Sequence, residues 1–195
     1  MSNQNPNAEQ GPLILVAEDS PTQAEQLRHL LEQHNYRVLV AENGQRALDL
    51  LADSLPTLII SDIVMPEING YELCKRIKAD ERTRQISVIL LTSLSGADDV
   101  LEGLECGADY FMSKPYSEDY FLQSIERSLA NREMRTEERA RVNAEIVVGG
   151  EKRSITADLH QALSLLVSSY DAAVRANTEL VKTQNDLQSL NARLE

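Results

Sequence analysis

Leu13-Ile14-Leu15-Val16-Ala17-Glu18-Asp19-Ser20-Pro21 is the stretch whose reading decides the fold of this chain. Five apolar residues in a row, without polar alternation, fit a strand covered on both faces. Two carboxylates follow at once. Ser20 then stands where a helix is capped, and Pro21 where its first turn needs no N–H. Behind them Ala24, Leu27, Leu30 and Leu31 recur at helical spacing. A buried strand that ends in acids and passes straight into a helix is the unit of a parallel sheet wrapped by helices.

The unit repeats outward from there. Tyr36–Ala41, Thr57–Ser61, Ile86–Leu91 and Asp109–Met112 read as four more strands, and Gly44–Ala52, Asn69–Ala79, Ala97–Cys106 and Ser117–Ala130 as the intervening and closing helices. Five such units in roughly 120 residues predict an α/β fold: a five-stranded, doubly wound parallel sheet with right-handed crossovers. Ligands of such sheets bind beyond the carboxyl ends of the strands. Those ends carry Glu18-Asp19, Asp62, Thr92 and Lys114.

Three carboxylates at one rim repel one another unless a cation is present. Oxygen donors without His or Cys suit a hard ion such as Mg²⁺. A lysine beside such a site makes sense when a phosphoryl group arrives, because both cations neutralise its oxygens. Asp62, central in the cluster, is then the candidate nucleophile, forming an aspartyl phosphate. Any one of these residues alone would be read as a helix cap or a surface polar group. Their ordered occurrence, each at a strand end, is what points to chemistry.

Composition narrows the classes. The chain has 195 residues and a net charge of −12, with 21 acids against 10 Lys and Arg in residues 1–130. An acidic domain repels phosphate backbones, so direct nucleic-acid binding is disfavoured. No Trp and two Phe leave no base-stacking platform. Cys74 and Cys106 read as small buried apolar residues. No apolar run approaches the ~20 residues of a membrane span, and Met1–Gln10 lacks a signal-peptide pattern. The expectation is a cytoplasmic protein without membrane insertion and with a disordered N-terminus over residues 1–11.

After Ala130 the character changes. Residues 131–158 form a charged linker in which Glu145–Val148, Gly149-Gly150 and Arg153–Thr156 suggest a hairpin. From Leu159 to Glu195 a heptad is legible. Leu159, Leu166, Ala173, Leu180, Leu187 and Leu194 occupy d, and Leu163, Tyr170, Asn177, Gln184 and Asn191 occupy a. Leucine at d with polar residues at a favours two parallel strands, so a long helix forming a coiled-coil homodimer over 159–195 is expected.

Residues 13–130 resemble the receiver domain of two-component response regulators. The resemblance rests on Glu18-Asp19-Ser20, Asp62 with Met65-Pro66 and Asn69-Gly70-Tyr71-Glu72-Leu73, Leu91-Thr92-Ser93, Gly107-Ala108-Asp109 and Lys114-Pro115. It implies the strand order 2-1-3-4-5. It also implies that Asp62 accepts a phosphoryl group from a histidine kinase or phosphotransfer protein. Asp19 and Asp62 would then ligate Mg²⁺ directly, Glu18 through water, and Val64 through its carbonyl. Lys114 would bind the phosphoryl oxygens, Thr92 would hydrogen-bond them after phosphorylation, and Phe111 would be the switch aromatic. Phe111 lacks the hydroxyl of the tyrosine common there, so its switching would rest on packing.

Past residue 130 the likeness is to segments that join receivers to sensor-kinase modules. An alternative reading is therefore the N-terminal part of a larger hybrid kinase or cyclase. An aspartate-nucleophile phosphohydrolase needs an acid two residues after the nucleophile, where Val64 stands. A scaffold with an unused receiver is disfavoured by the retained site residues. No ATP-binding glycine motif, cyclase motif or DNA-reading helix-turn-helix is visible, so the expected role is signalling, not catalysis.

Overall fold

The computed structural model describes residues 11–93, 102–103, 105–133, 141–148 and 151–158, together with scattered positions from 163 to 184. Five strands form one parallel sheet: β1 (Leu13–Ala17), β2 (Arg37–Ala41), β3 (Leu58–Asp62), β4 (Ser87–Thr92) and β5 (Tyr110–Ser113). Their order is β2-β1-β3-β4-β5, as the resemblance implied. Helices α1 (Pro21–Gln33), α2 (Gly44–Asp53), α3 (Gly70–Ala79) and α4 (Glu118–Glu133) connect and flank them.

The apolar strand runs bury both faces. Leu15, Ile59, Val88 and Leu90 join a cluster with Leu51, Leu73 and Ile77, from α2 and α3. Their neighbours Ile14, Val16, Ile60, Ile89 and Leu91 point the other way, against Leu27, Leu31, Phe121 and Ile125 of α1 and α4. This two-residue alternation splits one continuous run between two cores, which is why the sequence showed no polar side. Each fully buried Leu or Ile contributes about 2 kcal/mol from apolar burial.

Three helices begin on side-chain caps. Ser20 Oγ accepts from the Gln23 N–H at 3.5 Å, Asn43 Oδ1 from Arg46 N–H at 2.7 Å, and Asn69 Oδ1 from Glu72 N–H at 2.8 Å. Each leaves one fewer of the first-turn N–H groups without a partner.

Several boundaries differ from those expected. Strands β3 and β4 each run one residue past the apolar stretch, so Asp62 and Thr92 lie inside the ladder, with Asp62 opposite Leu91. Backbone pairing sets a strand's end, and hydropathy marks it only loosely. Gly11 is already packed: a Cβ built there would lie 1.6 Å from the Asn35 carbonyl oxygen, while Arg37 N–H donates to Pro12 O at 3.0 Å. Helix α4 runs three residues beyond Ala130, to Glu133.

The hairpin is also longer than its sequence signal. Strands β6 (Arg141–Val148) and β7 (Glu151–Asp158) pair antiparallel from Arg141↔Asp158 to Val148↔Glu151. Charged and small residues at its base hid the alternation. The expected turn Gly149-Gly150 lies outside the described residues, as do residues 1–10, most of the expected helix Ala97–Cys106, and linker residues 134–140. Within that helix, Glu102, Gly103, Glu105 and Cys106 are helical.

In the C-terminal stretch the described positions are helical and exposed, including Leu163, Leu166 and Tyr170. Leu159, Leu180, Leu187, Asn191 and Leu194 lie outside the described residues. Cys74 and Cys106 are free thiols, buried as expected. Among the described residues no helix is long and apolar enough to cross a membrane.

Candidate functional site

The carboxyl end of the sheet gathers the strand-end residues. Glu18 follows β1 and is 2% exposed; Asp62 closes β3; Lys114 follows β5. The Lys114 ammonium donates to Asp62 Oδ2 at 2.9 Å and to Glu18 Oε2 at 3.0 Å. Side chains from residues 52 and 96 positions away thus meet at one nitrogen. Backbone bonds fix the arrangement from beneath. Ile63 N–H donates to Asp62 Oδ1 at 2.7 Å, and Lys114 N–H donates to the Thr92 carbonyl at 2.6 Å.

Asp19 is exposed at the rim of the cluster. One carboxylate oxygen from each of Glu18, Asp19 and Asp62 lies within 4.8 Å of the others. Three hard oxygen donors so close, with no His or Cys among them, fit Mg²⁺ better than a softer metal. Burial is the main influence on Glu18 and raises its pKa. The hydrogen bond from Lys114 pulls against that, and the charge of Asp62 adds to it. Burial alone would lower the Lys114 pKa, but hydrogen bonds to Asp62 and Glu18 outweigh it and raise the value above that of free lysine. Lys114 thus stays a firm cation beside these carboxyl groups.

The remaining expected residues surround this cluster. Thr92, the last residue of β4, is buried. Val64 lies two residues past Asp62 in the β3–α3 loop and is 56% exposed. Phe111 is not part of the charged cluster. It lies buried in β5 on the side facing α3, close enough to Gly103 that a Cβ there would approach the ring to 2.8 Å.

Two neighbours were not expected. Gln23 on α1 offers Oε1 to the Lys114 ammonium at 3.0 Å. Tyr116 stacks on Phe121 with ring centroids 5.1 Å apart, and burial, then the charges of Glu18 and Asp62, push its phenol up to about 12. Tyr116 could have been suspected from its place two residues after Lys114. Gln23 could not, because Ser20-x-x-Gln23 reads as a helix-capping pair.

Comparison with known proteins gives the family. A family model, the response regulator receiver domain, matches residues 14–126. Histidine kinase P4 of Formosa agariphila is 47% identical over 119 residues, which is 61% of this chain and 9% of that protein. Protein PilH of Pseudomonas aeruginosa is 36% identical over 117 residues, 60% of this chain and 97% of that one. Among solved structures, the signal receiver domain of a signal transduction histidine kinase from Syntrophus aciditrophicus superposes with a TM-score of 0.61 at 44% identity. It covers 66% of this chain and 96% of that domain.

The chain belongs to the response regulator receiver family, whose domains are phospho-accepting signalling modules. This chain therefore spans all but a few residues of one relative and under a tenth of another.

Proposed function

We propose that Asp62 is the phospho-acceptor, taking the phosphoryl group from a histidine kinase or a histidine-containing phosphotransfer protein. The observation that carries this is the meeting of Asp62, Glu18 and Lys114 within 3.0 Å contacts at the sheet's carboxyl end. In the transfer, the phosphorus–nitrogen bond of the donor's phosphohistidine breaks and a bond from phosphorus to an Asp62 carboxylate oxygen forms. The imidazole leaves with the electron pair. Lys114 holds the phosphoryl oxygens and compensates charge that Asp62 alone would repel.

Asp19, Asp62, Glu18 through water and the Val64 carbonyl would hold Mg²⁺. When bound, the ion supplies the second positive charge for the phosphoryl oxygens. The Thr92 hydroxyl, at the end of β4 beside the backbone of Lys114, turns to the phosphoryl group after transfer. Phe111, packed at Gly103, follows through repacking of the helical residues before β5. Val64 in place of an acid gives the site no general acid for fast hydrolysis, which supports a switch over a phosphohydrolase.

In this reading the receiver, residues 12–130 with the end of α4, is followed by the linker and hairpin. Helices from 159 to 195 then pair in parallel in a cytoplasmic homodimer and carry the signal onward. The decisive experiment uses acetyl phosphate with Mg²⁺. Intact-mass spectrometry should show one phosphoryl adduct on the wild type and none on Asp62→Ala. Equal labelling of both would overturn the assignment.

A further inference from the structure

We propose that Gln23 is a positioning residue for Lys114, keeping its ammonium aimed at the acceptor site while the carboxylates around it are engaged elsewhere. This rests on the phosphoryl-transfer reading above. An ammonium has three protons to donate, and here the acceptors are Asp62 Oδ2 at 2.9 Å, Glu18 Oε2 at 3.0 Å and Gln23 Oε1 at 3.0 Å. Two of the three acceptors are carboxylates that also belong to the candidate cation cluster. Gln23 is the third, is neutral, and stands outside that cluster.

The local sequence makes the arrangement informative. Ser20-x-x-Gln23 has the form of a capping box, in which the Gln side chain would accept from the Ser20 N–H. That donor is instead taken by Glu18 Oε1 at 3.3 Å. Glu18 thus spans two tasks, with Oε1 on the helix start and Oε2 on Lys114. The Gln23 amide oxygen is released from capping and faces the lysine, while its own N–H still bonds Ser20 Oγ.

The consequence concerns the moment of transfer. A phosphoryl group and a cation at the rim both compete for the oxygens that hold Lys114. An ammonium losing both carboxylate contacts on a flexible four-carbon stem would swing away unless a third acceptor fixed it. Gln23 on α1 provides that acceptor without adding negative charge where the phosphoryl oxygens must sit. Positioning of this kind acts on rate through the fraction of time the cation is aimed correctly.

The test compares Gln23→Met, which conserves volume and removes the acceptor, with Gln23→Glu, which retains one. In the full chain, acetyl phosphate labelling with Mg²⁺ should be about threefold to tenfold slower in Gln23→Met, the order expected for one partly exposed hydrogen bond to a charge. The same substitution in a Lys114→Met background should change the rate less than about twofold, because the coupling passes through the lysine. Independently of activity, ¹⁵N–¹H spectra of the metal-free protein should show faster exchange of the Lys114 ammonium protons with water in Gln23→Met, and slow exchange restored in Gln23→Glu.

Equal slowing in both backgrounds would overturn the proposal, as would unchanged labelling and unchanged proton exchange in a folded Gln23→Met. A wild type that takes no label at Asp62 would remove the phospho-acceptor reading and this inference with it. A labelled wild type with a silent Gln23 would remove only the latter.

Discussion

At the scale of single residues, the site depends on positions that carry no chemistry. Gly70 opens α3 directly beneath the acceptor. A Cβ added there would lie 2.3 Å from the Asp62 carbonyl oxygen and 2.9 Å from Ile63 Cα. Helix propensity alone would favour Gly70→Ala by about 1 kcal/mol. Backbone atoms cannot swing aside as a side-chain end can, and overpacking costs about 1–3 kcal/mol. The clash should win. Thermal denaturation of Gly70→Ala should give a midpoint lower by about 5 °C, with slower Asp62 labelling because the β3 end is displaced. An unchanged midpoint would mean that the β3–α3 loop has slack. The place of Asp62 at a strand end and the start of α3 at Asn69-Gly70 were legible in the sequence because each follows from local pattern. The reason for Gly70 was not, since it needs the distance between α3 and the end of β3. Gln23 was hidden by a pattern that is real but is used for something else.

At the scale of elements, the five strand runs were legible because continuous hydrophobicity survives any register. Their exact ends were not. Asp62 and Thr92 are held by ladder pairing that apolar patterning does not record. A second tie at the opposite end of the sheet was likewise invisible. Lys78 on α3 donates to Asp109 Oδ2 at 2.8 Å and to the Ile86 carbonyl at 2.7 Å, and Val88 N–H donates to the same Asp109 oxygen at 2.8 Å. The Asp109 side chain is 5% exposed and that of Lys78 18%. These bonds join α3, the start of β4 and the approach to β5 at one carboxylate. Removing one member of a buried pair leaves the other charge uncompensated, at a cost of about 3–5 kcal/mol. Asp109→Ala should therefore lower the urea midpoint strongly, while Arg28→Ala at the exposed Glu25 pair should leave it nearly unchanged. Similar losses from both would show that the Asp109 cluster is wetter than its burial indicates.

At the scale of the whole molecule, the question is what the C-terminal stretch does with its apolar side chains. Leu163, Leu166 and Tyr170, at a, d and a of the heptad, are 50, 61 and 70% exposed in the single chain. Large apolar groups at those positions lose water contact if a second copy aligns its own stripe against them. Asn177 lies on the same stripe, at a position where an identical Asn across the interface offers a hydrogen-bonding partner. An apolar partner there would leave it unsatisfied. In the proposed homodimer, such a residue would set a parallel, in-register pairing of like chains. The physical test is to exchange specificity for stability. Asn177→Ile should raise the helical melting transition measured by circular dichroism. Sedimentation should then show a mixture of oligomers for the variant and, under the proposed pairing, a single dimer for the wild type. Truncation after Asp158 should abolish the concentration dependence of that transition. If Asn177→Ile melts at a lower temperature, or the truncated chain stays an equally tight dimer, the heptad register is wrong and association resides in the receiver itself.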